Sequence, residues 1–228
     1  MMSAPLQLMP SVSRTRQNSD VVIIPSPYAH YPPKWVVFDR HARGLSLELF
    51  GLSGKLGDVN RFAARYRAAK CFRKVDFEAL TKDTADGYGA LCHLLLTYSA
   101  FEFFLRAIDT ELKATSRLVS DGERSTIQDR LRALPGHALV LGAVRAHVEA
   151  RFQRQIDGHL QGLPANPFYL AASLRHSFAH GLLTATPEGV PSGAVAATSR
   201  YFVKVLFRVV DREFAQRMTD FEKMLGGE

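Results

Sequence analysis

NPFYLAASLRHSFAHGLLTA, residues Asn166 to Ala185, is the stretch that decides how this chain is read. Asn166 followed by Pro167 predicts a helix start, because the Asn side chain accepts a free backbone N–H and the fixed φ of proline suits the first helical position. Leu170, Ala171, Leu174, Phe178 and Leu182 then recur at three- and four-residue spacing, the signature of one core-facing stripe. Arg175, His176 and His180 fall off that stripe and share the other side with Ala172, Ala179 and Leu183. A helix with apolar residues on its back face as well has a second packing partner, and the expected partner is another copy of the chain.

Working outward, helical patterning continues in both directions. Leu45 to Phe50 predicts a short helix or turn, and Asp58 is placed to cap a helix that carries the basic residues up to Lys74. Asp83 or Thr84 opens a long helix expected to reach Ser116, with Leu91, Leu94, Leu95, Tyr98, Phe101, Leu105, Ile108 and Leu112 as its inner stripe. Glu102 lies inside that stripe, and an ionised carboxylate there needs a cation or a cleft edge beside it. A short helix is expected over Arg124 to Leu134 after a turn at Ser120 to Gly122, and a longer one over His137 to Leu160, facing inward with Leu141, Val144, Val148 and Phe152. Thr186 to Ser199 reads as a connector, with room for a small hairpin. A last helix runs from Arg200 to Leu225, burying Phe207, Val210, Phe214, Met218, Phe221 and Leu225. The sum is an all-α antiparallel helical bundle over residues 45–228, preceded by an extended N-terminal arm over 1–44. In that arm residues 1–20 lack periodicity, and Val21 to Ile24 and Trp35 to Phe38 read as extended runs.

Of 228 residues, 46% are hydrophobic, enough for one substantial core. No apolar run approaches the roughly 20 residues that span a bilayer, and Met1 to Pro10 lacks a basic start and an apolar segment, so neither membrane nor secretion is expected. Cys71 and Cys92 lack metal-ligand spacing and read as reduced, buried thiols in a cytoplasmic protein.

The net charge of +7 is unevenly placed: residues 1–75 carry 12 Lys/Arg against 4 Asp/Glu, and residues 76–228 carry 17 against 18. Within the basic part, Arg61, Arg65, Arg67, Lys70, Arg73 and Lys74 are interleaved with Phe62, Tyr66 and Phe72. Such a mixture can follow a phosphate backbone and stack bases, which makes RNA the expected partner; a solvated surface helix is the alternative. Arg67, Lys70 and Lys74 share one stripe.

Arg175, a polar His176, three residues and His180-Gly181, on a late helix of an all-α chain, resemble the Arg-polar-x3-His signature of the HEPN superfamily. The resemblance covers roughly residues 85–225. It implies a homodimer with the two motif helices face to face, and a metal-independent endoribonuclease that needs no cofactor. It further implies a defence, toxin or RNA-processing role, and a neutralising or regulatory partner such as the nucleotidyltransferases that accompany some members. Glu102 is where the family's acidic residue on an earlier helix would fall. His176 departs from the Asn or Asp common at the second position. The same Arg-x4-His spacing occurs at Arg132 to His137, broken by Pro135-Gly136, and at Arg154 to His159.

The residue types suit the chemistry. RNA supplies its own nucleophile, the 2′-OH, so an enzyme needs a proton acceptor and a cation for the charge growing on the phosphate. Histidine serves the first need near neutral pH and the guanidinium fork of arginine the second. In a regular helix Arg175 and His180 stand about 140° apart, so two facing copies close around one phosphate more readily than one. The expected roles are acid/base for His180, phosphate binding for Arg175, orientation for Glu102, and proton transfer or dimer contact for His176. Two alternatives remain: a non-catalytic dimeric module that binds RNA or protein, and a zinc site on His176 and His180, which lacks the Glu and third ligand such a site needs.

Overall fold

The computed structural model describes residues 27–226. Among them the chain is all-α, with eight α-helices, two 3₁₀ turns and no strand. The helices are α1 (Trp35–His41), α2 (Leu56–Cys71), α3 (Lys82–Ala107), α4 (Asp121–Arg132), α5 (His137–Arg145), α6 (Ala150–Leu160), α7 (Pro167–Ala179) and α8 (Ala194–Met224); the 3₁₀ turns cover Leu47–Phe50 and Leu112–Leu118. The expectations for residues 1–20 and for Val21 to Ile24 lie outside the described residues.

The middle of the fold is α3, against which α2, α7 and α8 pack. By length and composition α3 could also cross a membrane, but half of its apolar window is buried in this core. Residue pairs set the directions. Phe62 meets Phe104 and the Ala69 carbonyl meets His93, so α2 is antiparallel to α3. Phe101 stacks on Phe168 while Tyr88 meets Phe178, so α7 is antiparallel to it as well. Asp86 holds Arg200 and His93 meets Phe207, so α8 runs parallel to α3, a departure from uniformly antiparallel packing.

Several expectations are corrected. Trp35 to Phe38 is not extended: it forms α1, and Trp35 stacks on Phe214 with ring centroids 5.4 Å apart. Residues 27–44 are therefore not wholly an extended arm. The β-branched Val36 and Val37 suggest a strand, but burying Trp35, Val37 and Phe38 against the bundle outweighs that local preference.

The helix expected to reach Ser116 stops at Ala107. Asp109 takes a positive φ of 47°, and the Thr110 N–H donates to the Leu105 carbonyl at 2.8 Å, a Schellman ending built on Asp where Gly is usual. The helix expected over His137 to Leu160 is two helices. Leu141, Val144, Val148 and Phe152 are all buried as one inner stripe, but the chain breaks after Arg145. Gln153 Nε2 satisfies the freed Arg145 and Val148 carbonyls across the break, and Asp157 holds Arg145 at 2.5 and 2.9 Å.

The last helix begins six residues before Arg200, at Ala194, so part of the expected connector is helical and buried. The remainder, 186–193, forms bends and turns without a hairpin. Leu225, expected inside, is exposed. Cys71 is exposed rather than buried, and Cys92 is half-buried, which pushes its thiol pKa up.

Gly87 brings the segment after α7 onto α3. A Cβ at Gly87 would stand 2.7 Å from the Ala185 Cβ, so only glycine permits this approach.

Candidate functional site

The opening stretch folds as α7. Asn166 Oδ1 accepts the Phe168 N–H at 3.0 Å, Pro167 occupies the first turn, and Asn166 Nδ2 donates to Thr115 Oγ1 at 3.0 Å, tying the helix start to the second 3₁₀ turn. Leu170, Ala171, Ser173, Leu174 and Ser177 form the buried face. Phe178 is half-buried and Leu182 is 47% exposed, so the apolar stripe ends earlier than its spacing suggests. The cause is the helix end. His180 is the C-cap, Gly181 has φ 71°, and the N–H groups of Gly181 and Leu182 return to the carbonyls of Phe178 and Ser177 at 3.0 and 2.8 Å.

This ending sets out the polar residues. Arg175 Nη2 donates to Glu102 Oε2 at 3.2 Å, with side chains 28% and 38% exposed. The Arg175 guanidinium also lies 5.8 Å from the centroid of the buried Tyr98 ring. Burial first, then the Glu102 charge, pushes the Tyr98 phenol pKa up, so Tyr98 stays neutral. The Arg175 Nε is buried without a partner. His176 and His180 have ring centroids 4.4 Å apart, and His176 lies nearly parallel to Phe152 at 6.4 Å. His180 is exposed. Thus α3 supplies the acid, α7 the cation and one imidazole, and the α7 cap the second imidazole.

No family model, curated protein or solved structure matches this chain. The arrangement therefore has to be read from its own chemistry.

Sequence reasoning missed Arg151. From the first turn of α6 its guanidinium lies over Phe152 at 4.8 Å, the ring that also neighbours His176, and it pairs with Glu149 at 3.0 Å. The available signal was its place next to Phe152 on an inward stripe. Among the described residues no group of three or more His, Cys, Asp or Glu comes together, so the zinc alternative has only His176 and His180. The Arg154 to His159 copy of the spacing is divided by burial: His159 is 1% exposed, whereas Arg154 is exposed.

The basic segment is less available than its sequence suggests. Phe62 and Tyr66 are core residues and cannot stack bases. Arg67 donates to the Tyr31 hydroxyl at 3.0 Å and lies over its ring, and Lys70 pairs with Asp211 at 3.2 Å while lying 4.2 Å from the Phe207 centroid. Arg65 covers Phe103 at 4.5 Å, and Arg61 pairs with Asp58 at 3.5 Å. The helix ends at Cys71, so Lys74 does not continue the stripe of Arg67 and Lys70; with Arg73 it enters a separate cavity beside α3.

Proposed function

We propose that this chain is an HEPN-like, metal-independent endoribonuclease of the cytoplasm, acting as a homodimer in a defence or toxin-type setting. The observation that carries the reading is the Glu102–Arg175 pair at 3.2 Å, set beside two imidazoles whose rings are 4.4 Å apart at the surface. In the proposed reaction His180 removes the proton of the RNA 2′-OH, which attacks the adjacent phosphorus. Arg175 stabilises the added negative charge, the bond to the 5′-oxygen breaks, and that oxygen takes a proton from an imidazolium. The products are a 2′,3′-cyclic phosphate and a free 5′-hydroxyl. Glu102 orients Arg175. Two copies meeting at α7 bring a His180 and an Arg175 to each phosphate, and the exposed Leu182 beside the cap supplies apolar surface for that contact.

The test is RNA cleavage in EDTA by the full chain beside His180→Ala and Arg175→Ala. Each variant is expected to lose at least 100-fold in rate, within the range of removing one acid/base or charge-stabilising group. Unchanged rates in both would sink the assignment.

One observation favours a second reading. The Arg175 charge is already engaged by Glu102, which suits a structural pair in a non-catalytic RNA- or protein-binding module. Binding of RNA without cleavage by the wild-type chain would select it.

A further inference from the structure

Where α2 ends, Phe72 turns extended and the next residues run over the first turns of α3. Lys82, Asp86, Gly89 and His93 recur along one face of α3. Together with residues 72–75 and Arg200 of α8 they line a cavity of about 320 Å³. That is the lower end of the range for small-molecule sites. Gly89 lies about 20 Å along α3 from Glu102 and on another side of it, so this cavity is separate from the Arg175 surface.

Its charge is one-sided. Arg73, Lys74, Lys82 and Arg200 face one carboxylate, Asp86, and both Arg200 Nη atoms bond that carboxylate. Lys74 pairs with Asp76 at 2.6 Å, but both side chains are exposed, where such a pair exchanges readily with water. Arg73 and Lys82 make no salt bridge among the described residues, while the Lys82 charge, after Arg200, helps hold the Asp86 carboxyl below its ordinary pKa. The lining also carries two aromatic rings. The Phe72 and His93 rings stack with centroids 4.8 Å apart, and at Gly89 an added Cβ would meet nothing within 4 Å, leaving an open floor. His93 Nε2 is engaged by the Ala69 carbonyl at 3.1 Å, and burial pushes its pKa below the ordinary value, so its ring is part of the lining.

We propose that this cavity binds a nucleotide, with its phosphate on Arg73 and Lys82 and its base along the Phe72 and His93 rings over Gly89. Cations without a salt bridge select a phosphate, and aromatic rings select a base stacked beside them. The source of that group is a free mononucleotide or one residue of a single-stranded RNA. The site does not depend on the catalytic reading of Arg175 and His180.

The experiment is titration calorimetry on the full chain with 5′-AMP, 5′-UMP, adenosine and a single-stranded RNA octamer. It is run on wild type, Gly89→Leu and the Arg73→Ala/Lys82→Ala double variant, with thermal melts to establish folding. Nucleotide binding that weakens at least tenfold for adenosine, in Gly89→Leu and in the double variant supports a free nucleotide. Binding of the octamer alone, lost in the same two variants, supports an RNA strand. No binding of either, or affinities that the folded variants leave unchanged, overturns the proposal. His180→Ala is expected to retain this binding, so loss of cleavage and loss of the nucleotide site are separately visible.

Discussion

His159 shows what a single side chain can conceal. It is 1% exposed, neither ring nitrogen has a hydrogen-bond partner, and burial, with Arg132 and His137 nearby, pushes its pKa down to about 4 from 6.5. Above pH 6.5 both folded and unfolded chains hold it neutral, and it adds no pH dependence. As pH falls from 6.5 towards 4 the unfolded chain takes up a proton that the folded one refuses, so stability drops across that window. Thermal melts between pH 7 and pH 4.5 are expected to show this slope, and His159→Leu to flatten it; an equal slope in the variant would refute the account. Its burial was not read from the sequence, where the inner stripe was ended at Phe152, although Phe152, Ile156 and His159 stand at i, i+4 and i+7 on one inner face. The pairing of Glu102 with a cation was legible, from a carboxylate placed in an apolar stripe. Arg151 was hidden because its position depends on how α6 is set against α7, which no local pattern encodes.

Helix ends were harder to read than helix faces. The inner stripes of α3, α5 and α6 follow their three- and four-residue spacing, yet the breaks at Asp109 and after Arg145 depend on tertiary partners of the freed carbonyls. The end of α7 was overrun as well, since the stripe was carried on to Leu182 although Gly181 marks the stop. Its φ of 71° is required by the cap, and a Cβ there would meet nothing, so Gly181→Ala tests the backbone alone. It should cost about 1 kcal/mol, the ordinary penalty for a left-handed L-residue, and Gly181→Asn rather less, measured by urea unfolding. Equal stability of Gly181→Ala and wild type would mean that the α7 ending is not fixed by this turn. Because His180 is the preceding residue, any loss of the proposed RNA cleavage beyond that stability change would report displacement of its imidazole.

At the scale of the molecule, the all-α class was legible from periodicity, whereas the role of the N-terminal region was not. A seven-residue helix such as α1 offers too few positions to show a period, and its Trp-Val-Val-Phe start imitates a strand. In the fold it closes an aromatic cluster in which Trp35 and Phe38 contact Phe214, and Phe50 stacks on Phe221 at 4.2 Å. Trp35→Ala is expected to destabilise the chain by about 3–5 kcal/mol, as for other large-to-small aromatic core changes, and to lower the urea midpoint accordingly. A change below about 1 kcal/mol would show that α1 is peripheral. The parallel pairing of α3 with α8 has a further consequence. Parallel neighbours need a long return, and here the return includes α4 to α7, so the helix bearing Arg175 belongs to an excursion enclosed between two partners far apart in sequence. During synthesis α8 leaves the ribosome after the other described helices. The contacts that define the centre of the fold are therefore non-local and late, and α7 has only part of its support until α8 arrives.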